Sequence, residues 1–171
     1  MARSPQRSPK VSVVVTARND NHGGGFLRRM QIFASAWMEQ CERHRLSAEL
    51  IVVEWNPMEG MKPLHEALTW PDDTPHCGIR FIEVSREIHN SYVYGDKLGL
   101  YQMIAKNVGI RRFLSEFVLC TNIDLLFSDA LMEFMVLQEL REGCVYRVDR
   151  LDIPAEIPDD APVAEQLKYC E

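Results

Sequence analysis

Val11-Ser12-Val13-Val14-Val15-Thr16 is a short, mostly β-branched run that ends abruptly in the polar segment Ala17-Arg18-Asn19-Asp20. β-Branched side chains pack well on a pleated surface. A run apolar at nearly every position reads as a strand buried on both faces, the habit of parallel sheets covered by helices. Similar short runs recur at Glu49 to Trp55 (ELIVVEW), Ile79 to Val84 (IRFIEV), Phe117 to Thr121 (FVLCT) and Cys144 to Val148 (CVYRV). Helical patterns fall between them. Over Phe26 to Arg43, the residues Phe26, Met30, Phe33, Ala34, Trp37, Met38 and Cys41 share one face. A short helix is expected near Pro63 to Trp70. Longer ones are expected over Lys97 to Leu114, with Tyr101, Ile104, Ala105 and Val108 on one side, and over Asp129 to Leu140. This alternation predicts an α/β, Rossmann-like three-layer sandwich around a mainly parallel sheet. Gly109 in mid-helix costs about 1 kcal/mol relative to Ala, which implies a close approach to a neighbour or a helix end.

With 171 residues, 46% of them hydrophobic, the chain holds one domain with a full core. Residues 1–10 (MARSPQRSPK) are expected to be a disordered tail; they lack the apolar stretch of a secretory signal. Residues 11–151 are the organised domain. Residues 152–171 are acidic and Pro-rich, and are expected to be irregular with a short helix near their end. The balance of 19 basic against 25 acidic residues argues against a nucleic-acid partner, which needs a basic footprint. No apolar run approaches the roughly 18 residues of a membrane span, so no integral membrane segment is expected. Cys41, Cys77, Cys120, Cys144 and Cys170 are odd in number and form no CxxC. They predict a reduced, cytoplasmic protein with Cys41, Cys120 and Cys144 as buried thiols. No His–Cys spacing suits zinc.

Ligands of such sheets bind beyond the carboxyl ends of the strands. Those ends read Thr16-Ala17-Arg18-Asn19-Asp20, Glu54-Trp55-Asn56-Pro57 and Thr121-Asn122-Ile123-Asp124. Singly, Asn19, Asp20 and Asp124 each suit the cap of a following helix. Together the three clusters point to a polar ligand. Asn122 and Asp124, at i and i+2, point to the same side. Mg²⁺ and Mn²⁺ take oxygen ligands of this kind and accept phosphate as the rest of their shell. His22-Gly23-Gly24-Gly25 spells a lipase-like oxyanion sequence, but the chain has no G-x-S-x-G elbow and no P-loop pattern. The glycines are expected to form a mobile loop.

In this order, the features resemble glycosyltransferases of the GT-A fold, particularly the family 2 type. Val13-Val14-Val15-Thr16-Ala17-Arg18-Asn19-Asp20 stands where that family has a V-V-I-P-T-Y-N-like segment. Ile51-Val52-Val53-Glu54-Trp55-Asn56-Pro57 stands at its V-V-D-D-G-S-like turn. Ala105-Lys106-Asn107-Val108-Gly109-Ile110-Arg111-Arg112 is similar to its A-R-N-x-G-like helix, and Ser115 to Asp124 to the strand that enters its D-x-D motif. The likeness spans about residues 11–150. Asn122 replaces the first Asp of D-x-D, Glu54-Trp55 replaces the paired acids, and Thr16 stands where Pro is usual.

The resemblance implies a GT-A nucleotide-diphospho-sugar transferase that moves a sugar from a nucleoside-diphosphate sugar, such as a UDP-sugar, to an unknown acceptor. It implies that Thr16, Ala17, Arg18 and Asp20 line the nucleotide pocket and that Glu54 accepts from a base N–H or a ribose hydroxyl. Lys106, Asn107 and Arg111 would face the same cleft, with the cations on the diphosphate. Asn122 would touch ribose or metal, and Asp124 would ligate Mn²⁺ or Mg²⁺. An inverting transfer also needs a general base. In the family that base lies in an acceptor half beyond D-x-D; here Asp149 and Asp152 are the candidates. Arg147, Asp149 and Arg150 equally suit a salt-bridged strand end. The stretch after Asp124 is short for an acceptor half, so a truncated donor half is expected. The alternative is a non-catalytic nucleotide-sugar-binding or interaction domain. A sugar-nucleotide pyrophosphorylase would need a G-x-G-T-R-like loop, which Arg18-Asn19-Asp20 does not supply.

Overall fold

The computed structural model describes residues 9–71, 74–137, 140–152 and 161–169. Val11–Ala17 forms β1, Ala48–Trp55 β2, Cys77–Val84 β3 and Phe117–Cys120 β4. They make one parallel sheet in the order β3-β2-β1-β4. The two central strands are buried at every position, as their largely apolar runs require. Alternation divides their side chains between two layers. Val11, Val13, Val15 and Ala17 enter the core shared with α1 (Phe26–His44) and α5 (Asp129–Val136). Val14, Ile51, Val53 and Trp55 pack under α4 (Gln102–Ile110). The molecule is thus an α/β, Rossmann-like sandwich.

All seven apolar positions expected on α1 are buried. Arg45 turns left-handed after the helix, and the Leu46 N–H reaches back to the Cys41 carbonyl, which closes the end. A Cβ on Gly109 would collide with Val14 and crowd Val53. This is the close approach that the glycine implied, and it lets α4 lie directly on β1 and β2.

Four expectations need correction. Cys144 to Val148 is not a strand: it pairs with nothing in the sheet, and Val145 is 97% exposed. β-Propensity reflects packing against neighbours more than backbone preference, and this segment has no strand beside it. The helix expected over Lys97 to Leu114 shrinks to α4, because turns occupy residues 91–98 after an additional helix, α3 (Arg86–Asn90). Cys120 and Cys144 are exposed, whereas Cys41 and Cys77 are buried. β4 is an edge strand and α4 packs chiefly on β1 and β2, so Val118 and Cys120 stay open. Lys10, assigned to the tail, already bonds to the sheet margin: its N–H donates to Ser47 and its carbonyl accepts from Phe117.

The short helix after β2 is α2 (Leu64–Ala67), and the C-terminal one is α6 (Val163–Tyr169), which packs on α1 with Leu167 buried. Residues 1–8 of the expected tail, and 153–160 and 170–171 of the acidic segment, lie outside the described residues. Among the described residues, no helix is long and apolar enough to cross a membrane.

Candidate functional site

The chain steps from β1 outward to β2 and β3, then returns through α4 to the other side of β1. The carboxyl ends of β1 and β4 therefore flank a topological switch point, where crossover helices on opposite faces leave a crevice. The polar segments after β1, β2 and β4 converge at this rim.

Arg18 leaves β1 and donates through Nε to the Asn56 carbonyl at 2.9 Å; its Nη1 lies 3.4 Å from Asp20 Oδ2. Asn56 ends β2 in the left-handed region, at φ 49°. Its side-chain amide donates to the Gly99 carbonyl at 3.4 Å. A Cβ on Gly99 would meet the Arg18 guanidinium, so the glycine lets the segment before α4 close onto Arg18 without displacing that side chain. Asp20 Oδ1 accepts the His22 N–H at 3.0 Å and turns the chain into the glycine loop.

Arg29, in the first turns of α1, ties that loop down. Its Nε donates to Gly24 O (3.2 Å), its Nη2 to His22 O (2.5 Å) and its Nη1 to Asp124 Oδ2 (2.9 Å). The loop expected to be mobile is thus tied to α1 by two bonds, and Arg29 in turn to the end of β4 by the third. Across the crevice, Lys106 Nζ (3.2 Å) and Gln102 Nε2 (2.9 Å) both donate to Asn122 Oδ1. Lys106 and Asn122 therefore do meet.

Other expected residues are placed differently. Ala17 is a core residue. Thr16 and Glu54 are both buried, but strand alternation puts them in opposite layers: Thr16 follows Val14 toward α4, and Glu54 follows Val52 toward α1. Asn107 is exposed on α4. Arg111 follows the last turn of α4, away from the crevice. The far end of that helix is instead fixed by the buried Glu49, which accepts from the Leu114 N–H and Ser12 and pairs with Arg80 at 2.9 Å. Asp149 and Asp152 are more than three-quarters exposed and paired with Arg147 and Arg150.

Glu54 Oε2 accepts the Leu64 N–H at 2.9 Å and so anchors α2. Burial pushes its carboxyl above the ordinary glutamate value, against the Leu64 bond, and the Glu83 charge adds to the rise. A raised folded-state pKa contributes stability that is complete below the unfolded pKa, about 4.3, and is lost as pH rises through the folded value. The melting temperature of the parent protein is therefore expected to fall relative to that of Glu54→Gln as pH rises from about 4. Parallel pH profiles from differential scanning fluorimetry would contradict the assignment.

Thr16 Oγ1, Glu54 Oε1 and Asn56 Oδ1 are buried without a partner among the described residues. Each such group costs about 1–3 kcal/mol if it stays unpaired. Their position at the strand ends suits a ligand rich in N–H and O–H groups.

At the β4 end, the carboxylate expected to ligate Mn²⁺ or Mg²⁺ is paired through Oδ2 with a cation of the chain itself. Asp124 is engaged by a guanidinium, and both lone pairs of the Asn122 amide oxygen are taken by donors. Among the described residues no three His, Cys, Asp or Glu side chains gather, so a cation here would take most of its shell from phosphate and water. A groove of about 390 Å³ runs elsewhere, along α1 between Gln31, Ser35, Glu42 and Thr74; its lining holds no cation for an anionic ligand.

Arg29, Asn56, Gly99 and Gln102 are site residues that the sequence patterns did not isolate. Asn56 alone carried a signal, as the polar residue after a buried strand. Fold and site together define an α/β, Rossmann-like domain with a cation-bearing polar rim at its switch point. No family model matches the chain, and neither a curated protein nor a solved structure matches it.

Proposed function

We propose that the crevice binds a nucleoside-diphosphate sugar and that the chain is the donor-binding part of a glycosyltransferase. The observation that carries this is that unfilled buried polar groups and cations both occur at the carboxyl ends of the neighbouring strands β1, β2 and β4. Thr16 Oγ1, Asn56 Oδ1 and Glu54 Oε1 offer acceptors to the donors of a base, ribose or sugar. Arg18, Arg29 and Lys106 offer charge to phosphates. The resemblance of the same segments to the GT-A family 2 type supports the same ligand class. Breaking the sugar–phosphate bond leaves charge on the departing diphosphate, and fixed cations there lower the barrier.

A second reading, binding without catalysis, is favoured by one observation. Both candidate general bases, Asp149 and Asp152, are solvent-exposed and ion-paired, which suits them poorly to take an acceptor proton.

A thermal-shift panel of UDP, GDP, ADP and CDP tests the ligand class. One of them is expected to raise the melting temperature; a ligand at a hundredfold excess over its Kd stabilises by about 2.7 kcal/mol. No shift with any of the four, for folded protein, refutes the proposal. Release of free nucleoside diphosphate from the matching nucleotide sugar separates transferase from binding domain.

A further inference from the structure

We propose that Arg29 occupies the place of a divalent cation at the switch point: it takes the diphosphate directly, with Lys106 beside it, and Asp124 is the counter-ion that holds it ready. This rests on the ligand class proposed above and replaces its expected metal. Arg29 and Lys106 grip the same three-residue segment, one through Asp124 and the other through Asn122. Two cations from opposite layers of the sandwich thus converge on one short turn after β4. A diphosphate, with charge on both phosphorus centres, needs two such contacts.

Arg29 is also preorganised. A guanidinium carries five N–H donors in a fixed fork. Here the bonds to Gly24 O and His22 O set its plane, and the bond to Asp124 sets its direction. Removing the Asp124 charge leaves two of these three ties intact, so Arg29 stays in place with a freed donor edge. A metal site behaves in the opposite way, because loss of its one carboxylate removes the ligand that holds the ion. The two devices therefore differ in the sign of one substitution.

The test is isothermal titration of the full chain with inorganic pyrophosphate and with UDP, GDP, ADP and CDP, each in EDTA and in Mn²⁺. Arg29→Gln, Asp124→Asn and the parent are compared, with far-UV circular dichroism and melting temperature as controls for folding. Binding is expected to persist in EDTA. Arg29→Gln is expected to weaken it about tenfold to a hundredfold, the usual worth of a hydrogen bond to a charged group. Asp124→Asn is expected to leave affinity unchanged or raise it by up to about fivefold, the worth of a part-exposed ion pair. Binding that requires Mn²⁺ and is lost in Asp124→Asn overturns the inference and leaves the nucleotide reading standing. Binding in EDTA that Arg29→Gln does not weaken overturns it as well. Folded protein that binds none of the five anions in either buffer overturns both.

Discussion

Replacing His89 with leucine is expected to destabilise the protein by about 2–6 kcal/mol, measured by urea unfolding. His89 is 1% exposed and stands between two obligate partners. The Trp55 indole N–H donates to its Nδ1 at 2.7 Å, and its Nε2 lies 2.8 Å from the Gly95 carbonyl. An indole N–H is only a donor and a carbonyl only an acceptor. The imidazole must therefore be neutral with its proton on Nε2, matching both partners at once. Leucine leaves both partners unpaired, and each costs about 1–3 kcal/mol. Glutamine, with one acceptor and one donor, is expected to recover part of the loss. The effect reaches the crevice, because His89 belongs to an aromatic cluster with Trp55, Tyr92 and Tyr101 at centroid distances of 5.3–6.2 Å. Tyr101 also donates to the Val93 carbonyl at 2.5 Å. These contacts fasten the segment that carries Gly99 to the end of β2, so His89→Leu is also expected to weaken ligand binding at Arg18. A stability change under 1 kcal/mol would show that water replaces the imidazole at both partners.

What could be read from the sequence follows from the range of the forces involved. β1, β2 and α1 announce themselves because burial on both faces, or on one helical face, imposes a pattern on consecutive residues. Arg29 carries no such pattern: its partner Asp124 is 95 residues away, and only the fold brings them together. His89 lies in a five-residue helix too short for any period. The exposure of Cys120 depends on β4 being an edge, which is a property of strand order rather than of FVLC. The family resemblance groups Arg111 with Lys106, five residues before it. Yet five residues along a helix are about 7.5 Å, and α4 runs away from the crevice. Lys106 and Asn122, grouped through the family resemblance, do touch.

Trp37→Ala is expected to cost about 3–5 kcal/mol, the usual range for emptying a large core side chain. Trp37 is 1% exposed, and its ring meets Phe127 edge-to-face at 5.3 Å and 89°; Phe33 meets the same ring at 6.3 Å and 86°. Gln40, on the same face of α1, donates to the Phe127 carbonyl at 2.5 Å. The buried face of α1 therefore clamps the segment between Asp124 and α5 by ring and by backbone. Arg43 and His44 then pair with Asp129 at the start of α5, so the clamp continues along the helix. Phe127 is three residues beyond Asp124, so loosening it moves the carboxylate that orients Arg29. Trp37→Ala is nevertheless expected to leave pyrophosphate binding within about fivefold of the parent where circular dichroism still shows a folded chain, because Gly24 O and His22 O keep Arg29 in place. Val145→Ser, at an exposed site outside the sheet, is the matching control and is expected to stay within about 0.5 kcal/mol. A folded Trp37→Ala protein that no longer binds pyrophosphate would show that the Asp124 tie, and not the glycine loop, holds Arg29.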